Sequence, residues 1–288
     1  MLTQMIPAFK YHSYGNDFVV VAPDQVQQGN YSDFAKAICN NHFGIGADGC
    51  VFVEEIASGS IPMKIFNRDG SEAGISGNGF RCGCAFLHHH DLVNNTDITI
   101  TTGAGMRCYS LVEKKDGFWT YQSQMGSPIF EPADIPFCAP SELHEIKEYS
   151  LDVGGDKVSI TVLSVGNPQC IVFVEELPQK DNFQRLGRLL ECHPDFPQRT
   201  NVSFVQVVGS NQLKIKLWER GVGPTCSSGT GSCAAAVATI LAGKVQSPVI
   251  VTTETGFQKV EWDGEAEIHL TGDARFIAEI NFYWECSR

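Results

Sequence analysis

One pattern, written twice, constrains this chain more than any other feature. Ser76-Gly77-Asn78-Gly79 and Ser228-Gly229-Thr230-Gly231 stand 152 positions apart. Gly15-Asn16-Asp17-Phe18-Val19-Val20-Val21 aligns with Gly166-Asn167-Pro168-Gln169-Cys170-Ile171-Val172 at an offset of 151. Val51-Phe52-Val53 aligns with Ser203-Phe204-Val205 at 152, and Met63-Lys64-Ile65-Phe66 with Leu213-Lys214-Ile215-Lys216 at 150. Asn67-Arg68-Asp69-Gly70 then parallels Trp218-Glu219-Arg220-Gly221. The landmarks keep one order, and a period this long is no solenoid repeat. The 288 residues therefore read as two homologous halves of about 140 residues each.

Within each half the pattern runs strands first, then a helix. Phe18–Val21, Cys50–Glu54 and Met63–Phe66 are apolar runs bounded by Gly, Pro, Asp and Asn, as strands are. Asp97–Thr102 alternates apolar and polar residues, the signature of a half-buried strand. Ser32–Cys39 predicts a helix with Ser32 as its N-cap, and residues 182–190 fill the matching slot in the second half. Each glycine-rich turn leads into a small, apolar, helix-like run containing Cys. The fold expected is α+β: two pseudo-symmetric domains, each a curved mixed sheet wrapped around a central helix. The boundary is expected near Gly126-Ser127-Pro128, with a second crossing near Asp273 and the Phe276–Tyr283 strand returning to the first domain. That gives domains of 1–125 with 274–288, and 126–273.

Composition narrows the function. A formal charge of −12 argues against nucleic-acid phosphates and anionic membranes as partners. The first seven residues lack a basic start and a long apolar run, and no stretch approaches a membrane span, so no leader or anchor is expected. Eleven cysteines in mostly apolar settings fit small buried thiols in a reducing cytoplasm. Cys82-Gly83-Cys84 is too tight for a usual zinc pair. His88-His89-His90 ends a helix pattern, where cationic or polar residues complement the dipole, so no metal site is expected.

The chemistry lies in the paired turns. Two helix N-termini offer N–H donors and positive dipole ends, and small residues let a ligand approach the backbone. A hydroxyl, Ser76 or Ser228, heads each one. Asn16, Asn67, Asn167 and Asn201 flank apolar strand runs; amides there either support turns or bind ammonium and carboxylate groups. Glu219-Arg220 closes a strand and either grips the charged end of an amino acid or forms a surface ion pair.

These segments resemble the diaminopimelate epimerases, cofactor-independent relatives of the proline racemases and phenazine-biosynthesis-type isomerases. The resemblance is carried by Tyr14-Gly15-Asn16-Asp17-Phe18, Gly44-Ile45-Gly46-Ala47-Asp48-Gly49, Phe66-Asn67-Arg68-Asp69-Gly70-Ser71-Glu72, the first glycine turn with Phe80-Arg81-Cys82, Gly166-Asn167-Pro168, Asn201-Val202, and Glu219-Arg220-Gly221 through Gly231. It implies an isomerase of lysine and peptidoglycan precursor synthesis, needing no metal, pyridoxal phosphate or nucleotide, with a diamino diacid as substrate. A cytoplasmic homodimer is implied too. Asn16, Asn67, Asn167, Asn201, Glu219 and Arg220 would bind the distal end of that substrate. The backbone of Gly77, Asn78, Gly229 and Thr230 would hold the carboxylate at the reacting carbon.

The resemblance also marks departures. The family carries a cysteine where this chain has Ser76 and Ser228, one thiolate removing the α-proton and the other thiol returning one. The family's His after Gly-Asn-Pro is Gln169, a Glu after the Glu-Arg-Gly segment is Pro224, and a Gln after the Gly-Ile-Gly run is Gly49. Replacement of both cysteines in an ordinary member would not explain the last three, which favours a divergent branch. An epimerase, a same-fold racemase or lyase for another amino acid, and an amino-acid-binding homologue remain open on the sequence alone.

Overall fold

Strands that are apolar on both faces demand a cover on each side, and that requirement shapes both halves of this protein. The computed structural model describes residues 2–286 apart from 57–58, 75 and 141; the side chains of Leu2 and Cys286 lie outside the description. The chain divides into two compact units, one reaching Ser123 and resuming at Gly272, the other Gln124–Thr271.

The first unit contains β1 (Leu2–Ser13), β2 (Asn16–Val21), α1 (Tyr31–Ile38), β3 (Gly49–Val53), β4 (Ile61–Asn67), β5 (Glu72–Ala73), α2 (Gly77–His89), β6 (Asp97–Thr102), β7 (Gly105–Lys115) and β8 (Phe118–Gln124). The second contains β9 (Ile146–Val153), β10 (Asp156–Ser164), β11 (Pro168–Phe173), α3 (Lys180–Glu191), β12 (Asn201–Gly209), β13 (Gln212–Glu219), β14 (Gly223–Thr225), α4 (Gly229–Leu241), β15 (Val249–Thr253) and β16 (Gly256–Glu261). β17 (His269–Cys286) belongs by its first residues to the second unit and by the rest to the first.

The duplication read in the sequence is complete in the ladder. β1–β2 is antiparallel, β2–β3 parallel, β3–β4 and β4–β5 antiparallel, β4–β6 parallel and β6–β7 antiparallel. β10 through β16 repeat those six pairings in the same order. A parallel pair needs a crossover, and a helix lies in each one. α1 joins β2 to β3 and α2 joins β4 to β6; α3 and α4 do the same in the second unit.

Alternate residues of each central strand meet different helices. Phe18 and Val20 of β2, with Val51 and Val53 of β3, pack in the cluster of Phe80, Phe86 and Leu87 from α2. Val19, Val21, Cys50 and Phe52 face Tyr31, Phe34 and Ile38 of α1. In the second unit Ile171, Val205 and Ile215 join the cluster of Ala234–Val237 from α4, while Val172, Phe204 and Trp218 join that of Phe183 and Leu190 from α3. α2 and α4 are buried on nearly every side, as central helices of an α+β sheet must be.

Two local expectations need correction. Ser32 is not the N-cap of α1: the helix begins at Tyr31, and the Ser32 hydroxyl donates to Gly70 O at 2.8 Å. The glycine turns open the central helices, as expected, and form their first turns, starting at Gly77 and Gly229. The histidine tract does not serve the helix dipole as cations. His88 is 5% exposed, with Nδ1 at 2.8 Å from Tyr121 Oη and Nε2 at 2.9 Å from Asn95 O. Burial lowers its pKa and those of His89 and His90, favouring neutral rings; His89 packs among Tyr11, Trp119 and Phe276, and His90 against Phe9 and Phe86.

Candidate active site

Each central helix opens on a serine in extended conformation, φ −147° at Ser76 and −145° at Ser228. The Ser76 hydroxyl accepts from Gly79 N at 3.1 Å, and Ser228 from Gly231 N at 3.3 Å. These are N-caps: one orphan N–H of the first turn is satisfied by the side chain. The N–H groups of Gly77 and Asn78, and of Gly229 and Thr230, have no carbonyl within their helix to receive them. They are the donors a carboxylate can use. Among the described residues a Cβ at Gly77 would meet nothing within 4 Å, whereas one at Gly229 would come to 3.0 Å of Leu270.

Around Ser228 the groups are acidic and amidic. The Glu219 carboxyl is half-buried at the end of β13 and accepts a hydrogen bond from the Ser228 hydroxyl. Burial raises its pKa above the usual 4.5, and the Ser228 bond pulls it part of the way back. Glu219 and Arg220 do not act as one ion pair. Arg220 is exposed, its guanidinium donating to Gln198 O at 3.1 Å. Gln169 is fully buried; its Nε2 donates to Asn167 Oδ1 at 2.7 Å and to Thr230 Oγ1 at 3.2 Å. Asn201 braces the backbone: Nδ2 donates to Pro168 O at 3.0 Å, and Oδ1 accepts from Arg220 N at 3.0 Å.

Around Ser76 the groups are amides. β1 and β2 join through Tyr14-Gly15, with φ of 55° and 83°, a two-residue turn that favours glycine and delivers Asn16 at the strand start. Asn78 Nδ2 donates to Asn16 Oδ1 at 3.3 Å, and Asn16 Nδ2 to Asp48 Oδ2 at 2.7 Å. Asn67, exposed at the end of β4, donates to Ser71 Oγ at 3.0 Å. Of the residues singled out in the sequence, the first unit thus brings Asn16 to Asn78 at the head of α2. The second brings Glu219 to Ser228, with Asn167 and Thr230 linked through Gln169. Asn201 and Arg220 meet through the Arg220 N–H, and Asn67 takes Ser71 as its partner.

Known proteins share this arrangement of chain. A sequence model described as diaminopimelate epimerase matches residues 8–131 and 161–277. The diaminopimelate epimerase of Pelotomaculum thermopropionicum is 37% identical over 270 residues, covering 93% of this chain and 95% of its own. That of Acaryochloris marina is 40% identical over 274 residues, covering 93% and 95%.

The chain belongs to the diaminopimelate epimerase family.

Solved structures show the same fold outside the diaminopimelate epimerases. A phenazine biosynthesis protein of the PhzF family from Bacillus anthracis superposes with a TM-score of 0.70 at 18% identity, covering 97% of this chain and 99% of its own. A hydroxyproline epimerase from Agrobacterium vitis, solved with trans-4-hydroxy-L-proline, gives 0.64 at 15% identity and covers 97% and 92%.

In this diaminopimelate epimerase relative the cysteines inside the central helices do not replace the serines, and Cys226, two residues before Ser228, is exposed. Cys82 and Cys233 are fully buried, and burial pushes the Cys82 thiol up to about 12. Sequence reasoning missed Arg81 and Asp48, which bond to Asn78 and Asn16 respectively. A charged residue inside the apolar run Phe80-Arg81-Cys82-Gly83-Cys84 was the available signal for the first.

Proposed function

We propose that this protein is a cofactor-independent epimerase acting on diaminopimelate, with Ser76 and Ser228 as its proton-transfer residues. The observation that carries the reading is the pair of serine-capped helix ends in a chain of this family. Each joins carboxylate-binding N–H donors to one hydroxyl. The amino-acid carboxylate is held by the N–H groups of Gly77 and Asn78 and of Gly229 and Thr230. Asn16, Asn67, Asn167, Asn201, Glu219 and Arg220 serve the rest of the substrate, Glu219 having the added task described next.

A serine hydroxyl is a poor base on its own and needs a neighbour to take its proton. Glu219 supplies one at Ser228. As the substrate Cα–H bond breaks, Ser228 Oγ receives that proton and passes its own hydroxyl proton to Glu219. The electron pair left on Cα is delocalised into the carboxylate held by the helix N–H groups. The Ser76 hydroxyl gives its proton to Cα on the other face, and the turnover is completed when Ser76 regains a proton from water and Glu219 loses its own to water. At Ser76 the cap N–H of Gly79 stabilises negative charge on Oγ. The lysine pathway is the setting that the relatives' name supports. A cytoplasmic homodimer belongs to the same proposal; the buried thiols of Cys39, Cys50, Cys82, Cys84 and Cys170 support a reducing compartment.

Incubation with L,L- and meso-diaminopimelate in deuterated water tests the reading. Deuterium enters at Cα and each isomer converts to the other. Absence of exchange with both isomers at high enzyme concentration rejects it.

A further inference from the structure

The first unit buries a charge that none of the roles above uses. Arg81, in the second turn of α2, is 0% exposed. Its Nη1 donates to Ser13 Oγ at 2.7 Å and to Asn78 Oδ1 at 3.1 Å. Among the described residues Nε and Nη2 have no hydrogen-bond partner, and no carboxylate pairs with the guanidinium. A buried cation without a counter-ion costs several kcal/mol after relaxation. A stability role alone is a poor account of it, because an apolar side chain of similar volume would fill the site at lower cost.

The hydrogen bonds run in one direction from this cation. Asn78 turns its Oδ1 to Arg81, so its Nδ2 faces Asn16 Oδ1. Asn16 thereby turns its own Nδ2 to the Asp48 carboxylate. Asp48 is held in turn: its Oδ2 accepts from Asp17 N at 3.2 Å, and its backbone N donates to Asp17 Oδ1 at 3.0 Å. Ser13 locks the near end by donating to Asp273 O at 2.6 Å while accepting from Arg81. A cation at one end and a carboxylate at the other leave each amide one orientation.

We propose that Arg81 is a positioning residue that fixes the donor–acceptor polarity of Asn78 and Asn16, and so determines that the head of α2 presents N–H donors to a substrate carboxylate. This rests on the reading of Asn16 and Asn78 as substrate residues. Each Nδ2 keeps a second hydrogen, which adds to the N–H groups of Gly77 and Asn78. The second unit has nothing comparable: Thr230 and Cys233 stand where Asn78 and Arg81 stand in the first.

Steady-state kinetics with diaminopimelate, together with thermal unfolding with and without it, test the proposal. Arg81→Met raises KM tenfold or more, leaves kcat within about threefold and weakens the ligand-induced rise in Tm. Arg81→Lys, which keeps a charge and a donor, recovers most of the KM. A purely structural role predicts instead a lower Tm with KM unchanged, and that result in Arg81→Met overturns the proposal. Should Arg81→Met fail to fold, Gly272→Ala replaces it. A Cβ there would lie 3.0 Å from Arg81 Cζ and 3.1 Å from Tyr14 Oη, crowding the guanidinium so that it or its neighbour must shift while its charge stays intact. KM rises at least threefold in that variant; an unchanged KM overturns the proposal. A parent protein that neither turns over diaminopimelate nor is stabilised by it rejects the underlying reading and the proposal together, whereas failure in the variants alone rejects only the role of Arg81.

Discussion

The head of α2 and the head of α4 share a backbone and differ in charge. Both start with an extended serine whose hydroxyl caps the third residue of the helix. Behind Ser76 lie a buried guanidinium and a chain of oriented amides. Beside Ser228 lies a half-buried carboxyl with a raised pKa. Duplication has preserved the part that the chain's geometry dictates and released the part that side chains decide. The α2 end carries the buried cation, and the α4 end the carboxyl that accepts from its capping serine.

The sharpest way to break this comparison is to remove each hydroxyl alone. Ser76→Ala and Ser228→Ala are each expected to lower kcat by roughly 10²–10⁴-fold, the usual worth of a positioned proton-transfer group. A loss confined to Ser228→Ala, read by deuterium exchange at Cα, would show that only the end with a neighbouring carboxyl does proton chemistry. The cores differ in the same spirit. α2 fills its half with Phe80, Phe86 and Leu87, and α4 with Ala234, Ala235 and Ala236. Phe86→Ala should therefore cost about 3–5 kcal/mol by leaving a cavity. Ala235→Val should cost about 1–3 kcal/mol by overpacking. Denaturant midpoints measure both.

Next in size is the exchange of oxygen for sulfur. Ser76→Cys with Ser228→Cys should raise the epimerisation rate about tenfold or more, because a thiol ionises near pH 8.5 and a serine hydroxyl does not in this range. No gain would mean that the surroundings of the two caps have adapted to oxygen. The smallest effect is on the pH profile. Glu219 acts as a base only when ionised, and burial raises its pKa, so the acid limb of kcat/KM should lie above an ordinary glutamate's 4.5. Glu219→Gln should lower the plateau and remove that limb. The sign for stability is opposite: burial favours the protonated carboxyl, so its contribution is present at low pH and is lost as pH rises through the raised value.

Much of this was legible because the signals were local or repeated. Strands buried on both faces read as continuous apolar runs, and a Ser-Gly-x-Gly turn before a small apolar run reads as a helix start. The start of α1 was misplaced because Ser32 meets Gly70, 38 residues away, and no local pattern encodes that contact. The histidine tract was misread because charge depends on burial, set here by Tyr121 and Asn95. Arg81 was passed over for the same reason, although its place in an apolar run was a signal. An arginine in a helix ordinarily reaches solvent, and here Ser13 and Gly272, from distant parts of the sequence, enclose it. Glu219 was placed beside Arg220 by adjacency, but β13 ends at Glu219 and the turn that follows sends the Arg220 guanidinium to Gln198 O.

The capping serines carry a consequence for how such a protein can change. The atom proposed to move the proton is also the atom that starts the helix, so one substitution alters reactivity and folding at once. Replacement by alanine removes about 1 kcal/mol of capping along with the chemistry. Lineages exploring new reactions on this scaffold are therefore confined to short polar residues at these two positions, and novelty is easier to acquire in the neighbours, where a glutamate or a glutamine can be exchanged without unthreading a helix.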